Sequence, residues 1–109
     1  MINIVKKRYE KQMNKYIGYY LEADKTGQRY ESQLKEVREK LRNGESIQIG
    51  LFECLLHKIN IVDMYKKDYL ATINNYRDKL GYTPMYVNEK GFLTISLNKE
   101  LGMSVSFKY

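Results

Sequence analysis

The residues best suited to chemistry are Cys54 and His57, which lie three positions apart with Glu53 beside them. On a helix this spacing places the thiol and the imidazole on one face, as half of a zinc site or as a nucleophile pair. Structural zinc takes four ligands, and the chain has one Cys and one His in total, so only a site shared between subunits could be complete. Nothing marks an orienting third group or an oxyanion hole. We therefore predict no metal site and no catalytic residue, and expect Cys54 to be a small buried apolar residue, with His57 at the flank of its helix.

Other signatures of catalysis are also missing from the sequence. Neither glycine-rich phosphate motif, GxGxxG or GxxxxGK[ST], occurs. The 13 acidic residues are spread among Lys and Arg, so no carboxylate pair stands out from an ordinary solvated helix face. The sequence predicts a protein that is not an enzyme and has no cofactor or small-molecule substrate.

The start of the chain is basic and rich in tyrosine. Residues 1–21 carry five cations against Glu10 alone, which gives +4 of the total net charge of +6. Lys7, Lys11 and Lys15 form a like-charge row at helical spacing, which an acidic partner would relieve. Nucleic-acid phosphate, with Tyr19 as a stacking surface, is one such partner; an acidic protein surface is another, and an ordinary solvated face is the alternative. The candidate contact residues are Lys6, Lys7, Arg8, Lys11, Lys15 and Tyr19.

These cations are predicted to lie on one long helix over about residues 2–43. Apolar or small residues recur at alternating spacings of four and three, which is typical of a helix packed against another at a shallow angle. They are Tyr9, Met13, Tyr16, Tyr20, Ala23, Gly27, Tyr30, Leu34, Val37 and Leu41. The stretch Asp24–Gly27 reads locally as a turn, but the spacing keeps its phase across it and favours a continuous helix over a break. Ala23 and Gly27 then mark a place where the partner helix comes close.

A second helix is predicted over about residues 46–80, after a turn at Asn43-Gly44, with Ser46 as its N-cap and Gly81 at its end. Its stripe also steps by three and four, and only Lys66 interrupts it. The stripe residues are Phe52, Leu55, Ile59, Val62, Lys66, Tyr69, Ile73, Tyr76 and Leu80. The short connection requires the two helices to fold back antiparallel into a rod of about 50–60 Å.

Antiparallel pairing across the turn predicts which residues meet. It sets Leu34 near Leu56 and Tyr20 near Leu70. It also sets Ala23 and Gly27 against residues 62–66, where Tyr65 or the stem of Lys66 is expected to fill the space.

After Pro84 the apolar period changes from helical to two. Residues 85–87, 93–97 and 103–109, separated by glycine-containing turns, predict a three-stranded antiparallel meander. The predicted fold is therefore α+β: a long antiparallel two-helix hairpin in residues 1–82, followed by a small β-meander in residues 83–109, as a single structural unit. The last strand is a candidate edge for pairing with another chain, through Met103, Val105, Phe107 and Tyr109.

The first half of the second helix is more apolar than one partner helix can cover. The candidate partner-binding residues are Leu51, Leu55, Leu56, Ile59 and Val62. Their cover is the folded-back sheet, a second copy of the chain or another protein. The sequence thus favours a non-catalytic structural or interaction protein that self-associates or docks on a larger assembly. Nucleic-acid binding by the basic N-terminal helix is the alternative.

Composition bears on the setting of the protein rather than on its mechanism. The abundance of Lys, Asn, Ile and Tyr is typical of an AT-rich genome and suits a small phage or mobile-element component, as a virion part or an inhibitor of a host protein. The start MINIVKKRYEKQ lacks the apolar core of a signal peptide, and no apolar run approaches the roughly 20 residues of a membrane span. A single cysteine fits a reducing compartment. We expect a cytoplasmic protein, or a virion protein if it is phage-encoded.

Overall fold

The structure is a computed structural model that describes residues 2–98 and 101–107. Helix α1 spans Ile2–Arg42 and helix α2 spans Ile49–Lys79. Three strands follow: β1, Met85–Val87; β2, Leu93–Asn98; and β3, Met103–Phe107. The molecule measures 63 × 31 × 17 Å. The predicted α+β fold, a helical hairpin followed by a meander, is confirmed.

Helix α1 runs without interruption through Asp24–Gly27, as the spacing predicted. The small residue allows close packing, because a Cβ atom added to Gly27 would lie 3.1 Å from Val62 Cγ1. The side chain that meets Gly27 is thus Val62, not Tyr65 or Lys66 as predicted. Lys66 lies one turn further along α2, where it reaches Asp24 instead.

Both helices end at a glycine, as predicted. At the end of α1, Gly44 has a φ of +80°, and the Glu45 and Gly44 amides donate to the Lys40 and Leu41 carbonyls over 3.0 and 3.1 Å. This is the Schellman arrangement, which satisfies carbonyls that the last turn of a helix leaves free. Gly81, with a φ of +75°, ends α2 in the same way.

The predicted N-cap of α2 is wrong. The helix begins at Ile49 rather than at Ser46, and the preceding Gln48 makes no side-chain capping hydrogen bond. The physical reason is Ile47, which packs against the buried residues Leu34 and Leu55 at the closed end of the hairpin. Because the Ile47 side chain packs there, residues 46–48 do not join the helix.

Two apolar clusters lie along the rod. The open-end cluster joins both helices to the sheet and consists of Met13, Ile17, Tyr20, Ile73, Met85 and Leu93. The closed-end cluster consists of Leu34, Val37 and Leu55 and includes no strand residue. Leu70 packs against the open-end cluster that contains Tyr20, which agrees with the predicted pairing, but Leu34 packs with Leu55 rather than Leu56. The sheet therefore covers the open end, and the closed end is a two-helix rod.

The sheet has the order β1-β2-β3 and is antiparallel throughout. Ile95 in the central strand pairs with Met85 on one side and with Val105 on the other. An irregularity between Ser96 and Asn98 shifts the register near the start of β3. Apolar residues alternate along β2 and β3, and Leu93, Ile95 and Phe107 pack in or against the open-end cluster. One face of the sheet is thus turned toward the helices.

Asn74 of α2 attaches the sheet to the hairpin. Its Nδ2 donates to the Met85 carbonyl over 3.1 Å, and the Met85 amide donates to its Oδ1 over 2.7 Å. One side-chain amide thus satisfies both backbone groups of a strand residue, as a neighbouring strand would.

Candidate interaction surfaces

Six tyrosines form a continuous surface on one flank of the hairpin, which we call the tyrosine face. They are Tyr9, Tyr16 and Tyr19 on α1 and Tyr65, Tyr69 and Tyr76 on α2. Neighbouring ring centroids lie 5.5 to 6.3 Å apart, within the range of favourable aromatic pairs. Because Asn74 holds the sheet on the other flank of α2, the tyrosine face points away from the sheet.

Three lysines lie over the rings of this flank. Lys15 Nζ is 5.7 Å from the Tyr19 ring centroid, and Lys79 Nζ is 5.4 and 5.6 Å from those of Tyr9 and Tyr76. Lys58 Nζ lies 5.4 Å from the ring of Tyr30, further toward the closed end. These distances are those of cation–π contacts. The surface is therefore aromatic at its centre and cationic along its margin.

A groove of about 290 Å³ lies between the helices on the tyrosine face. Its floor includes the small side chains of Ala23 and Thr26 on α1, and its wall includes Tyr65 and Tyr69 on α2. Tyr65 is 54% exposed although it is a large aromatic residue. A bulky, exposed side chain thus stands beside a concave region on the same face.

The structure divides the predicted partner-binding residues between two environments. Leu55 is buried in the closed-end cluster, Ile59 packs against that cluster, and Val62 contacts the Gly27 region. Leu51 and Leu56 are exposed. The first three residues therefore hold the hairpin together, and the last two are open to a partner.

Sequence reasoning did not identify a second stripe on α2, which we call the outer stripe. It consists of Leu51, Cys54, Lys58, Ile61 and Tyr65, all exposed, at successive spacings of three, four, three and four. The outer stripe could have been found in the sequence from that spacing, because the same alternation of three and four predicted the helical hairpin. Cys54 is exposed and free, so the prediction that it is buried is wrong; the adjacent Leu55 faces α1 in its place.

The predicted N-terminal contact residues lie on the surface. Lys6, Lys7, Arg8, Lys11 and Lys15 are exposed, as is Tyr19. None of the lysines in the row at 7, 11 and 15 forms an ion pair with a described residue. Tyr19 belongs to the tyrosine face, so the structure joins the end of the basic row to the aromatic surface.

The predicted edge strand pairs with β2 within the chain. Met103 and Val105 are exposed, whereas Phe107 is partly buried against the open-end cluster. Tyr109 lies outside the described residues.

An ion pair between Asp24 and Lys66 crosses the hairpin with a separation of 2.7 Å. Burial raises the pKa of Tyr20, which lies beneath the Lys66 ammonium, and the carboxylates of Asp24 and Asp63 raise it further. Burial alone would lower the pKa of Lys66, but the hydrogen bond to Asp24 and the neighbouring charges outweigh it and raise that pKa. The paired charges of Lys66 and Asp24 therefore link the two helices across the hairpin.

A second buried cation fixes the chain between α2 and β1. Arg77 Nε donates to the Thr83 carbonyl, and the guanidinium lies 5.3 Å from the Tyr82 ring centroid. Burial lowers the pKa of Arg77 from its usual value. Tyr82 in turn donates to Glu10 Oε1 of α1 over 2.8 Å. These contacts tie the sheet connection to both helices.

A cavity of about 710 Å³ opens beside the turn between β1 and β2. Among its lining residues, Asn88 accepts the Lys90 and Phe92 amides at 3.0 and 2.9 Å and donates to Ser106 Oγ over 3.1 Å. The side chain of Asn88 is therefore used to hold the turn.

The described residues include no group of three or more His, Cys, Asp or Glu side chains arranged to hold a metal ion. Nor is any helix in residues 2–98 and 101–107 long and apolar enough to cross a membrane. The chain matches no protein-family model, no curated protein and no solved structure.

Proposed function

We propose that this is a non-catalytic interaction protein that self-associates through the outer stripe and the adjoining tyrosine face. The observation that supports this most directly is the outer stripe itself. Leu51, Ile61 and Tyr65 are 51%, 37% and 54% exposed at the spacing of a helix–helix contact, and no described element covers them. Exposed apolar residues in such a pattern are typical of a surface that packs against another helix.

A second copy of the chain is the partner that this surface fits. A two-fold interface needs a patch that carries both a projection and a matching depression. The tyrosine face has both, since Tyr65 projects beside the groove floored by Ala23 and Thr26. Two copies related by a two-fold axis can each place Tyr65 in the groove of the other.

Charge and area are compatible with this contact. Residues 49–76 carry three acidic and three basic side chains, namely Glu53, Asp63, Asp68, Lys58, Lys66 and Lys67, so two copies of this segment do not repel strongly. An antiparallel contact also keeps the two basic N-terminal segments at opposite ends of the rods. A face along residues 51–76 is about 39 Å long at 1.5 Å per residue and about 20 Å wide for two helices. That is about 800 Å² per copy, the size of a standard stable interface.

The test is the absolute mass in solution, measured by light scattering after size exclusion at low and high salt. We expect an oligomer that resists salt and a lower mass for Ile61→Lys, because the substitution places a charge in the stripe. Met64→Lys is the matched control, since Met64 is exposed on α2 but outside the outer stripe, and it should retain the wild-type mass. Circular dichroism verifies that both variants keep their helices. A wild-type monomer, or an Ile61→Lys variant of unchanged mass, would refute the proposal.

Nucleic-acid binding is the second candidate function. It is favoured by the cations around the tyrosine face. Lys15 and Lys79 lie over the rings, and Lys7 and Lys11 form no ion pair with a described residue. Single-stranded nucleic acid is the form that such a surface would bind, because bases stack on aromatic rings and phosphates pair with lysines. Binding of a labelled single-stranded oligonucleotide should weaken steeply as salt rises. It should also weaken on Tyr19→Ala, with Tyr86→Ala on the sheet as the control. Absence of binding at low salt would exclude this candidate.

A further inference from the structure

The two edge strands of the sheet, β1 and β3, differ in whether their outward backbone groups already make hydrogen bonds. At the β1 edge, both backbone groups of Met85 bond to the side chain of Asn74. At the β3 edge, residues 103–107 make no backbone hydrogen bond to a described residue other than those to β2. The backbone of helix α2 lies close to β1, whereas neither helix backbone lies close to β3, and among the described β3 residues Phe107 packs against the open-end cluster. The open edge of the sheet is therefore β3.

The sequence of β3 lacks the usual protection of an open edge. Natural edge strands carry charges or proline, or are covered, because bare edges pair with other chains. Met103–Phe107 reads MSVSF, with no charged residue and no proline. Met103 and Val105 are 52% and 43% exposed. This strand is thus uncharged and apolar on one face, and its first half is exposed to solvent.

The hydrogen-bonding direction of β3 follows from the contact at Asn74. The N–H and C=O groups of Met85 point away from β2, toward Asn74, so Met85 and Ile95 form a non-hydrogen-bonded pair. In such a pair the N–H and C=O groups of the partner also point outward, so those of Ile95 point toward β3. Ile95 is paired with Val105, so Val105 directs its groups back toward β2. Alternation then turns the amides and carbonyls of Ser104 and Ser106 outward. The open edge presents two donors and two acceptors.

We propose that β3 pairs antiparallel with β3 of a second copy, across a two-fold axis at Val105, to form a continuous six-stranded sheet. The strand is self-complementary in this register. Val105 faces Val105 of the second copy, Met103 faces Phe107 and Ser104 faces Ser106, so apolar residues meet on one face and hydroxyls on the other. The outward groups of Ser104 and Ser106 also meet as hydrogen-bonded pairs. A slip by one residue would place the two hairpins on opposite faces of the sheet.

The two hairpins have room in this arrangement. The β1 strands of the two copies are separated by five strand spacings, about 24 Å. Helix α2 lies closest to the sheet at β1, and Leu93 of β2 also packs against the helices. Even the β2 strands of the two copies are three strand spacings, about 14 Å, apart, and one helix is about 10 Å in diameter. Two hairpins can therefore lie side by side on the same face of the sheet. This surface is distinct from the tyrosine face, so the inference goes beyond the proposed helical contact.

Disulfide formation tests the pairing directly. In a Cys54→Ala background, Val105→Cys places two thiols across the two-fold axis, at a non-hydrogen-bonded pair with Cα atoms about 4.5 Å apart. That distance is within the range of a disulfide. We expect mild oxidation to yield a covalent dimer on a non-reducing gel. Met103→Cys is the matched control, because its Cα atoms would lie about 14 Å apart, four residues along the strand. Absence of the Val105→Cys dimer, or equal cross-linking of both variants, would overturn the proposal.

A second measurement separates this interface from the proposed helical one. Val105→Lys should lower the mass in solution, whereas Leu97→Lys, at an exposed position of β2, should not. The Val105→Cys disulfide should still form when Ile61→Lys is added, because the two surfaces are separate. Loss of cross-linking on Ile61→Lys would overturn an independent edge contact. A mass that responds to Ile61→Lys but not to Val105→Lys would overturn the edge pairing and leave the helical contact standing.

Discussion

The contact between Gly27 and Val62 can be tested by giving Gly27 a single methyl group. Gly→Ala in a helix interior stabilises by about 1 kcal/mol through backbone entropy. At Gly27 this gain is opposed, because the new Cβ would lie 3.1 Å from Val62 Cγ1, inside the ordinary carbon–carbon contact distance of about 3.5–4.0 Å. Overpacking of this kind costs about 1–3 kcal/mol. Gly27→Ala should therefore be neutral or destabilising by up to about 2 kcal/mol, and Gly27→Leu should be worse.

Gly18 provides a matched control in the same helix. A Cβ added there meets nothing within 4 Å, so Gly18→Ala should be stabilising by the full 1 kcal/mol or so. The two substitutions should differ by about 1–3 kcal/mol in the free energy of unfolding, which is several degrees or more in Tm for a domain of this size. Urea denaturation followed by circular dichroism measures the difference, at one fixed protein concentration because association shifts stability. Equal stabilisation by the two alanines would show that the helices are not in close contact at Gly27.

Three further predictions concern the buried polar contacts. Asp24→Asn removes the charge that pairs with the partly exposed Lys66. It should lower the free energy of unfolding by about 1–3 kcal/mol, between the values for an exposed and a fully buried ion pair, and urea denaturation measures the change. The raised pKa values of Lys66 and Tyr20 mean that the folded state holds these protons more tightly, so stability should fall as pH rises above about 10, and Tyr20→Phe should reduce that slope. Asn74→Ala removes both side-chain bonds to Met85 and should speed hydrogen exchange at the Met85 amide by tenfold or more, since a bond worth about 1–2 kcal/mol is lost.

Each of these predictions has a neighbouring control. Asp63→Asn alters an exposed carboxylate that pairs with no described residue and should cost less than about 1 kcal/mol. Tyr19→Phe removes the hydroxyl of a surface tyrosine and is the control for Tyr20→Phe. Asn75→Ala alters an exposed residue adjacent to Asn74 and should leave exchange at Met85 as it is. If a control variant changes the measured quantity as much as its test variant does, the role assigned to the tested residue is contradicted.

The hairpin could be predicted because helix packing leaves a regular trace in the sequence. The spacing of three and four from Tyr9 to Leu41 stays in phase through Gly27, and the strands after Pro84 change that period to two. The Asp24–Lys66 ion pair was not predicted, although the sequence contained the information needed to predict it. The same antiparallel pairing that sets Tyr20 opposite Leu70 also sets Asp24 opposite Lys66.

Other features depend on tertiary contacts that no local pattern carries. Ile47 displaces the start of α2 because it is buried at the closed end, which overrides the capping preference of Ser46. The outer stripe is obscured by Cys54 and Lys58, since a polar and a charged residue interrupt its apolar pattern. The tyrosine face combines residues from both helices, so neither helix shows it alone. The sequence thus predicted individual surface residues such as Leu51 and Tyr19, but not the outer stripe or the tyrosine face to which they belong.

The amide of Asn74 has a consequence for how far a sheet of this protein can grow. Fibrous cross-β stacking requires two available edges on every chain, one for the neighbour above and one for the neighbour below. The β1 edge is three residues long, and its first outward-facing residue is already bonded to Asn74. Under the proposed pairing at β3, the sheet would therefore join two chains and have no second free edge from which to continue. Asn74 thus limits the growth of the sheet itself, because it occupies the β1 edge and leaves β3 as the edge at which a strand of another chain can pair.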